Sequence, residues 1–266
     1  MTMTLLAILA ATLLAGVGSV WLAALLGFGI LARYTQHMLS LAAGALLATA
    51  FMHLLPEAFE SQVSADQLFP TLLVGLIFFF LLDKAELWHH GHEHHHGHDH
   101  AHVHSHDHAD SQAPAPSGGS WAILTGDSVH CFGDGVLIAS AFVADMRLGV
   151  VAALAVLMHE VPHHMGDLAV LRQASNNRRM ALVKVSLAGG LTALGGVVGF
   201  FLVAQLEAYL PFFLAIASSS FLYVALADLI PQLQKKLSAR ETLAQIVWLA
   251  VGMGMVTLAS SLTHSH

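Results

Sequence analysis

Residues 124–142 read LTGDSVHCFGDGVLIASAF and residues 157–171 read LMHEVPHHMGDLAVL. Each is a helix-length run of mainly apolar and small residues with ionisable groups set into it. In the first, Asp127, His130 and Asp134 stand at i, i+3 and i+7, one stripe of a helix, with Cys131 beside it. In the second, His159 and His163 share a face at i, i+4, Glu160 and His164 share the adjacent face, and Asp167 continues the His159 face. Counting from the ends places His130, Asp134 and His159 near mid-membrane if both runs cross a bilayer. A charged group there costs about 3 kcal/mol or more unless it is paired, solvated or bound to a metal, so each marks function. Facing one another, the two runs would supply the N/O donor set that Zn²⁺ accepts in tetrahedral geometry. Pro162 lacks an N–H and predicts a kink beside the candidate ligands. Gly126, Gly133, Gly135 and Gly166 leave room for close helix approach.

The rest of the chain has the composition of a membrane protein. Of 266 residues, 56% are hydrophobic and 10% are charged, against about 25% charged in soluble domains. A soluble enzyme is excluded, and a formal charge of -7 with ten basic residues excludes a nucleic-acid partner. One cysteine, Cys131, forms no intramolecular disulfide. The 20 histidines are twice the Lys and Arg total, and imidazole is the commonest side-chain metal ligand near neutral pH.

Apolar runs predict eight helices, at 3–31, 38–58, 67–88, 121–143, 147–171, 181–205, 211–231 and 241–263. The first lacks the basic flank of a cleaved signal and is read as a retained span. The connections after spans 1, 3, 5 and 7 carry Arg33, Lys84, Arg172, Arg178, Arg179, Lys184, Lys235, Lys236 and Arg240, and those after spans 2, 4 and 6 carry only Arg147. Basic loops stay in the cytoplasm, so both termini are expected outside, in the plasma (inner) membrane. The organisation expected is spans 1–3 over 1–88, a loop over 89–120, spans 4 and 5 over 121–171 and spans 6–8 over 172–266. The loop holds His89, His90, His92, His94, His95, His96, His98, His100, His102, His104, His106 and His108, followed by SQAPAPSGG at 111–119. It is expected to be disordered and cytoplasmic and to capture metal weakly and exchangeably.

Two short motifs echo each other. Span 2 ends in HLLPEA, from His53 through Glu57 to Ala58, and span 7 ends in DLIPQL, from Asp228 to Leu233. By the loop charges they lie at opposite membrane faces, as an inverted repeat of spans 1–3 and 6–8 around spans 4 and 5 would place them. Such 3+2+3 bundles with a midplane site work by alternating access. His53, Glu57 and Asp228 are then entrance and exit groups.

The run His130-Cys131-Phe132-Gly133-Asp134-Gly135 resembles the HNFxDG signature of the ZIP (zinc/iron-regulated transporter-like) family of divalent metal transporters. His159-Glu160-Val161-Pro162-His163, continuing to Gly166-Asp167, resembles the HEhPHExGD signature of its subfamily with a His-rich loop. Phe221-Leu222-Tyr223 with Asp228 and Pro231 resembles a third motif in span 7. The resemblance implies an all-α integral membrane protein that brings divalent metal into the cytosol through a binuclear centre, and homodimers. Carried over by position, His130, Asp134, His159 and His163 would hold the transported ion, with Cys131, Glu160 and shared carboxylates at a second position. Asp127, His164 and Asp167 are additional ligands or their supports.

Two positions depart from the signature: Cys131 replaces Asn, and His164 replaces Glu. Both move the donor set toward nitrogen and sulfur, favouring Zn²⁺, and Cd²⁺ as its mimic, over Mn²⁺ or Mg²⁺, with Fe²⁺ between. The metal is cargo, and no organic cofactor is implied. Two alternatives share the residues. His159-Glu160-Val161-Pro162-His163 also matches HExxH, the zinc-protease pattern, and the chemistry alone does not fix direction, so an exporter would use the same site.

Overall fold

The computed structural model describes the backbone of residues 1–26, 28–91, 118–175, 177–234 and 237–262, and side chains within these except 28–33, 85–91, 118–123 and 172–175. Eight helices are long and apolar enough to cross a membrane: α1 (Thr2–Leu26), α2 (Tyr34–Phe59), α3 (Ala65–Lys84), α4 (Leu124–Ala144), α5 (Met146–Leu171), α6 (Arg178–Gln205), α7 (Glu207–Leu233) and α8 (Ala239–Leu262). Among the described residues there is no strand. Each helix matches one expected from hydropathy, with ends displaced by a few residues. The histidines at 92–108 lie outside the described residues, as do the side chains of His89 and His90.

Burial sorts the helices into layers. In α2 and α5 61% of the most apolar window is buried, against 11% in α3 and α8. The outward sides of these last two carry Leu73, Ile77, Phe78 and Leu81, and Leu243, Val247, Val251 and Leu258, all exposed. Hydrocarbon is the natural solvent for such a surface, because helices satisfy their own backbone groups and need no water.

The packing is that of two inverted halves. The pairs α2–α8 and α3–α7 are in contact, as are α4–α6 and α1–α5. Exchanging α1 with α6, α2 with α7, α3 with α8 and α4 with α5 maps each pair onto its counterpart. Glycines set the closest approaches: a Cβ on Gly135 would strike the Thr192 carbonyl oxygen, and one on Gly195 would strike that of Phe132. These two positions lock α4 against α6 at the depth of the ionisable stripe.

Among the described residues three helices carry a π turn. Helix runs unbroken from Met146 to Ser175 with Pro162 inside it. The wider π turns occur at Leu14–Gly18, Ala50–Leu54 and Val224–Leu229. The second contains His53 and ends two residues before Pro56; the third contains Asp228 and ends two residues before Pro231. Each proline removes a donor, and the extra residue of the π turn absorbs the missed register. The two echoing motifs therefore share a backbone irregularity as well as a sequence.

Candidate metal centre

The α-helical repeat turns the α4 stripe into two faces one step apart. His130 and Asp134 form one, and Asp127 and Cys131 the other. On α5, His159 and Glu160 meet the first face, and Glu160 and His164 meet the second.

At the first meeting His159 Nε2 lies 3.3 Å from Asp134 Oδ2, 3.2 Å from Glu160 Oε1 and 3.4 Å from His130 Nε2. His130 Nε2 is 3.3 Å from Glu160 Oε1 and 3.9 Å from Asp134 Oδ2. A tetrahedral ion with bonds of about 2.1 Å to N and O spaces its ligands about 3.4 Å apart, and these separations cluster around that edge. Asp134, His159 and Glu160 are at most 3% exposed. Neither Asp134 Oδ2 nor Glu160 Oε1 has a hydrogen-bond partner among the described residues. Buried carboxylates are costly unless a cation, a protonated imidazole or a metal ion, compensates them.

At the second meeting Cys131 Sγ lies 3.6 Å from Asp127 Oδ1, 3.8 Å from Glu160 Oε2 and 3.8 Å from His164 Nε2. His164 Nε2 is 3.0 Å from Glu160 Oε2 and 3.8 Å from Asp127 Oδ1. A Zn–S bond of about 2.3 Å lengthens a sulfur-to-oxygen edge to about 3.6 Å, close to the 3.6 and 3.8 Å from Cys131 Sγ to the two carboxylates. Glu160 belongs to both sets, one oxygen in each.

His163 is placed differently from the set the resemblance implied. Its Nδ1 lies 3.3 Å from Asp167 Oδ2 and 3.7 Å from Asp127 Oδ1, and its ring stacks on His130 with centroids 5.3 Å apart. Asp127, His163 and Asp167 form a third donor group, on the wall of a cavity of about 470 Å³. The cavity also touches His130 and His159 and runs to Asp83 of α3 and to Tyr223, Asp228 and Gln232 in the C-terminal half of α7. Tyr223 donates its O–H to Asp83 Oδ2 at 2.9 Å, and Gln232 donates to Asp228 Oδ1 at 2.8 Å. A separate cavity of about 300 Å³ at the opposite end of the bundle is lined by His53, Glu57, Glu60, Asp145 and Arg147 and reaches none of the central donors. Between the two, Ile138, Ala139, Ala141, Val151, Ala152 and Ala155 are at most 1% exposed.

All nine ionisable or thiol residues singled out in spans 4 and 5 thus converge on three adjoining groups. His53 and Glu57 fall in one cavity and Asp228 in the other. Sequence reasoning did not find Ser19, whose Oγ is 2.9 Å from His164 Nδ1, and a single serine in an uncharged apolar helix carries no signal. It also passed over Asp83, whose place beside Lys84 looked like an ordinary helix end.

The family model described as ZIP Zinc transporter matches residues 1–260. The chain is 30% identical over 258 residues to the zinc transporter ZIP4 of Homo sapiens, a match covering 78% of this chain and 40% of that protein. It is 28% identical over 247 residues to the zinc transporter ZIP13 of Pongo abelii, covering 86% of this chain and 68% of that one. The zinc transporter foi of Drosophila melanogaster is 33% identical over 140 residues, covering 52% of this chain and 20% of that protein. With a family match over nearly its whole length, a helical bundle of the expected count and a buried His/carboxylate centre between α4 and α5, the chain belongs to the ZIP zinc transporter family.

Proposed function

We propose that this chain carries a divalent cation, zinc first, across the plasma membrane into the cytosol by alternating access. The observation that carries the reading is the buried pair of donor sets sharing Glu160, joined to a cavity at one end of the bundle and walled by apolar residues toward the other. His130, Asp134, His159 and Glu160 hold the transported ion. Asp127, Cys131, Glu160 and His164 form the second position. His163 and Asp167, on the cavity wall, receive the ion as it leaves.

The orientation rests on the basic loops, which put the α3–α4 connection in the cytoplasm and both termini outside. The larger cavity is then an exit and this conformation faces inward, with Asp228 on the way out and His53 and Glu57 at the entrance. The His-rich loop lowers free metal near the exit. Cd²⁺ and Fe²⁺ compete as cargo, and a homodimer in the bilayer is compatible with the apolar outer faces.

The arrangement disfavours the protease alternative. In an HExxH enzyme the two histidines hold one ion and the glutamate stays off it as general base. Here His159 and His163 fall in separate donor groups, and Glu160 sits 3.2 Å from His159 Nε2 within the first. Vesicles containing the purified chain and a zinc-sensitive dye in the lumen test the proposal. A dye response that depends on external Zn²⁺ and disappears in Asp134→Asn supports it; an equal response in empty vesicles, or export only, contradicts it.

A further inference from the structure

We infer that Ser19 of α1 is a positioning residue for the second metal position, fixing the His164 ring so that Nε2 joins the Cys131 sulfur in a cage for soft divalent cations. The inference rests on the reading of this centre as one that holds metal, and it brings a third helix into a site otherwise built from α4 and α5.

The hydroxyl of Ser19 has one proton, and it makes a short hydrogen bond to the carbonyl oxygen of Gly16. Having donated there, Oγ meets His164 Nδ1, 2.9 Å away, as an acceptor. Nδ1 therefore carries a ring proton, and in the neutral ring the lone pair is on Nε2, free for a metal. That lone pair faces Glu160 Oε2 at 3.0 Å and Cys131 Sγ at 3.8 Å. Two electron-rich atoms at 3.0 Å repel unless a proton or a metal ion lies between them, and a metal ion there takes the place of that proton. Asp127 Oδ2 is a second pointer: it is buried and has no hydrogen-bond partner among the described residues.

Local backbone holds Ser19 at this depth. It follows directly on the π turn Leu14–Gly18, and a Cβ on Gly16 would strike the Gly189 carbonyl oxygen of α6. α6 is in turn locked to α4 at Gly135 and Gly195. The height of Ser19 relative to Cys131 is thus set by two backbone-to-backbone approaches rather than by a flexible side chain. Histidine ligands commonly need such an outer partner, and its loss typically weakens metal binding about 10–100-fold.

Cys131 is the single cysteine of the chain, so thiolate-to-Cd²⁺ charge-transfer absorption reports this position alone. On binding, the thiol releases its proton to solvent and coordinates as thiolate. The full chain in detergent, titrated with Cd²⁺, is expected to reach one thiolate-bound ion per chain. Ser19→Ala is expected to reach the same final absorbance with its midpoint raised about tenfold. In a His164→Ala background, Ser19→Ala is expected to change the midpoint no further, because Ser19 acts through that ring. An unchanged midpoint in the single variant, or an equal shift in both backgrounds, overturns the inference. Absence of the band in the unmutated chain overturns it together with the second metal position, whereas loss of zinc uptake alone concerns the transport reading.

Discussion

Glu160 and His164 stand one helical turn apart on α5 with Oε2 and Nε2 3.0 Å from each other. The other oxygen of the same carboxylate lies 3.3 Å from His130 Nε2. One residue therefore faces two donor sets at once, and the donors nearest to its carboxylate are the imidazoles of His164, His159 and His130 and the Cys131 thiol. A bridging carboxylate of this kind lets two cations approach by spreading one negative charge between them.

Glu160→Gln follows from that position. The amide keeps the size of the side chain and loses the charge from both donor sets. Metal affinity should fall by roughly 100-fold or more, beyond what loss of an outer partner produces, and bound Zn²⁺ per chain after dialysis should drop at both positions. Equilibrium dialysis with elemental analysis checks it. Loss of one ion with the other unchanged would show that the carboxylate is not shared.

His163→Ala separates binding from passage. His163 lies with Asp127 and Asp167 on the cavity wall, outside the set of His130, Asp134, His159 and Glu160. Uptake into vesicles should be abolished while zinc at the first position is retained. Dye-loaded vesicles and dialysis on the same preparation measure both; wild-type uptake would remove His163 from the path.

Much of this was legible from the residues, and the limit has a geometric cause. Hydropathy runs reveal all eight helices because each must fill the same hydrocarbon thickness with apolar side chains. The 3.6 period shows that His159 and His163 share a face, and Glu160 and His164 another. It does not show how far α5 is rotated toward α4. A rotation of about one residue decides whether His163 or Glu160 lies nearer to His130, and the donor atoms group Glu160 with His130, Asp134 and His159. The π turns at His53 and Asp228 were hidden for a related reason: one extra residue in a turn leaves the composition unchanged.

Gly135→Leu tests the packing that presents the stripe. Its side chain would meet the Thr192 backbone, which cannot swing aside as a side chain can. Overpacking of this kind costs about 1–3 kcal/mol. Thermal denaturation in detergent should show a lowered midpoint, and zinc binding should weaken because α4 is displaced from α5. Gly133→Ala, where a Cβ meets nothing within 4 Å, should leave the midpoint unchanged.

Removal of residues 89–108 tests the supporting role given to the histidine loop. The central donors all lie on α4 and α5, so basal uptake should persist at high external zinc, with the deficit confined to retention of metal at the exit side. Complete loss of uptake in the same vesicle assay would place the loop in the transport step itself.

Anomalous diffraction at the zinc edge, from crystals of the protein grown with Zn²⁺, tests the central claim most directly. Two peaks should appear between α4 and α5, one on each side of the Glu160 carboxylate. Their distances to N and O donors should be about 2.0–2.2 Å, and the distance to Cys131 Sγ about 2.3 Å. Peaks confined to surface histidines, with none beside Glu160, would contradict it.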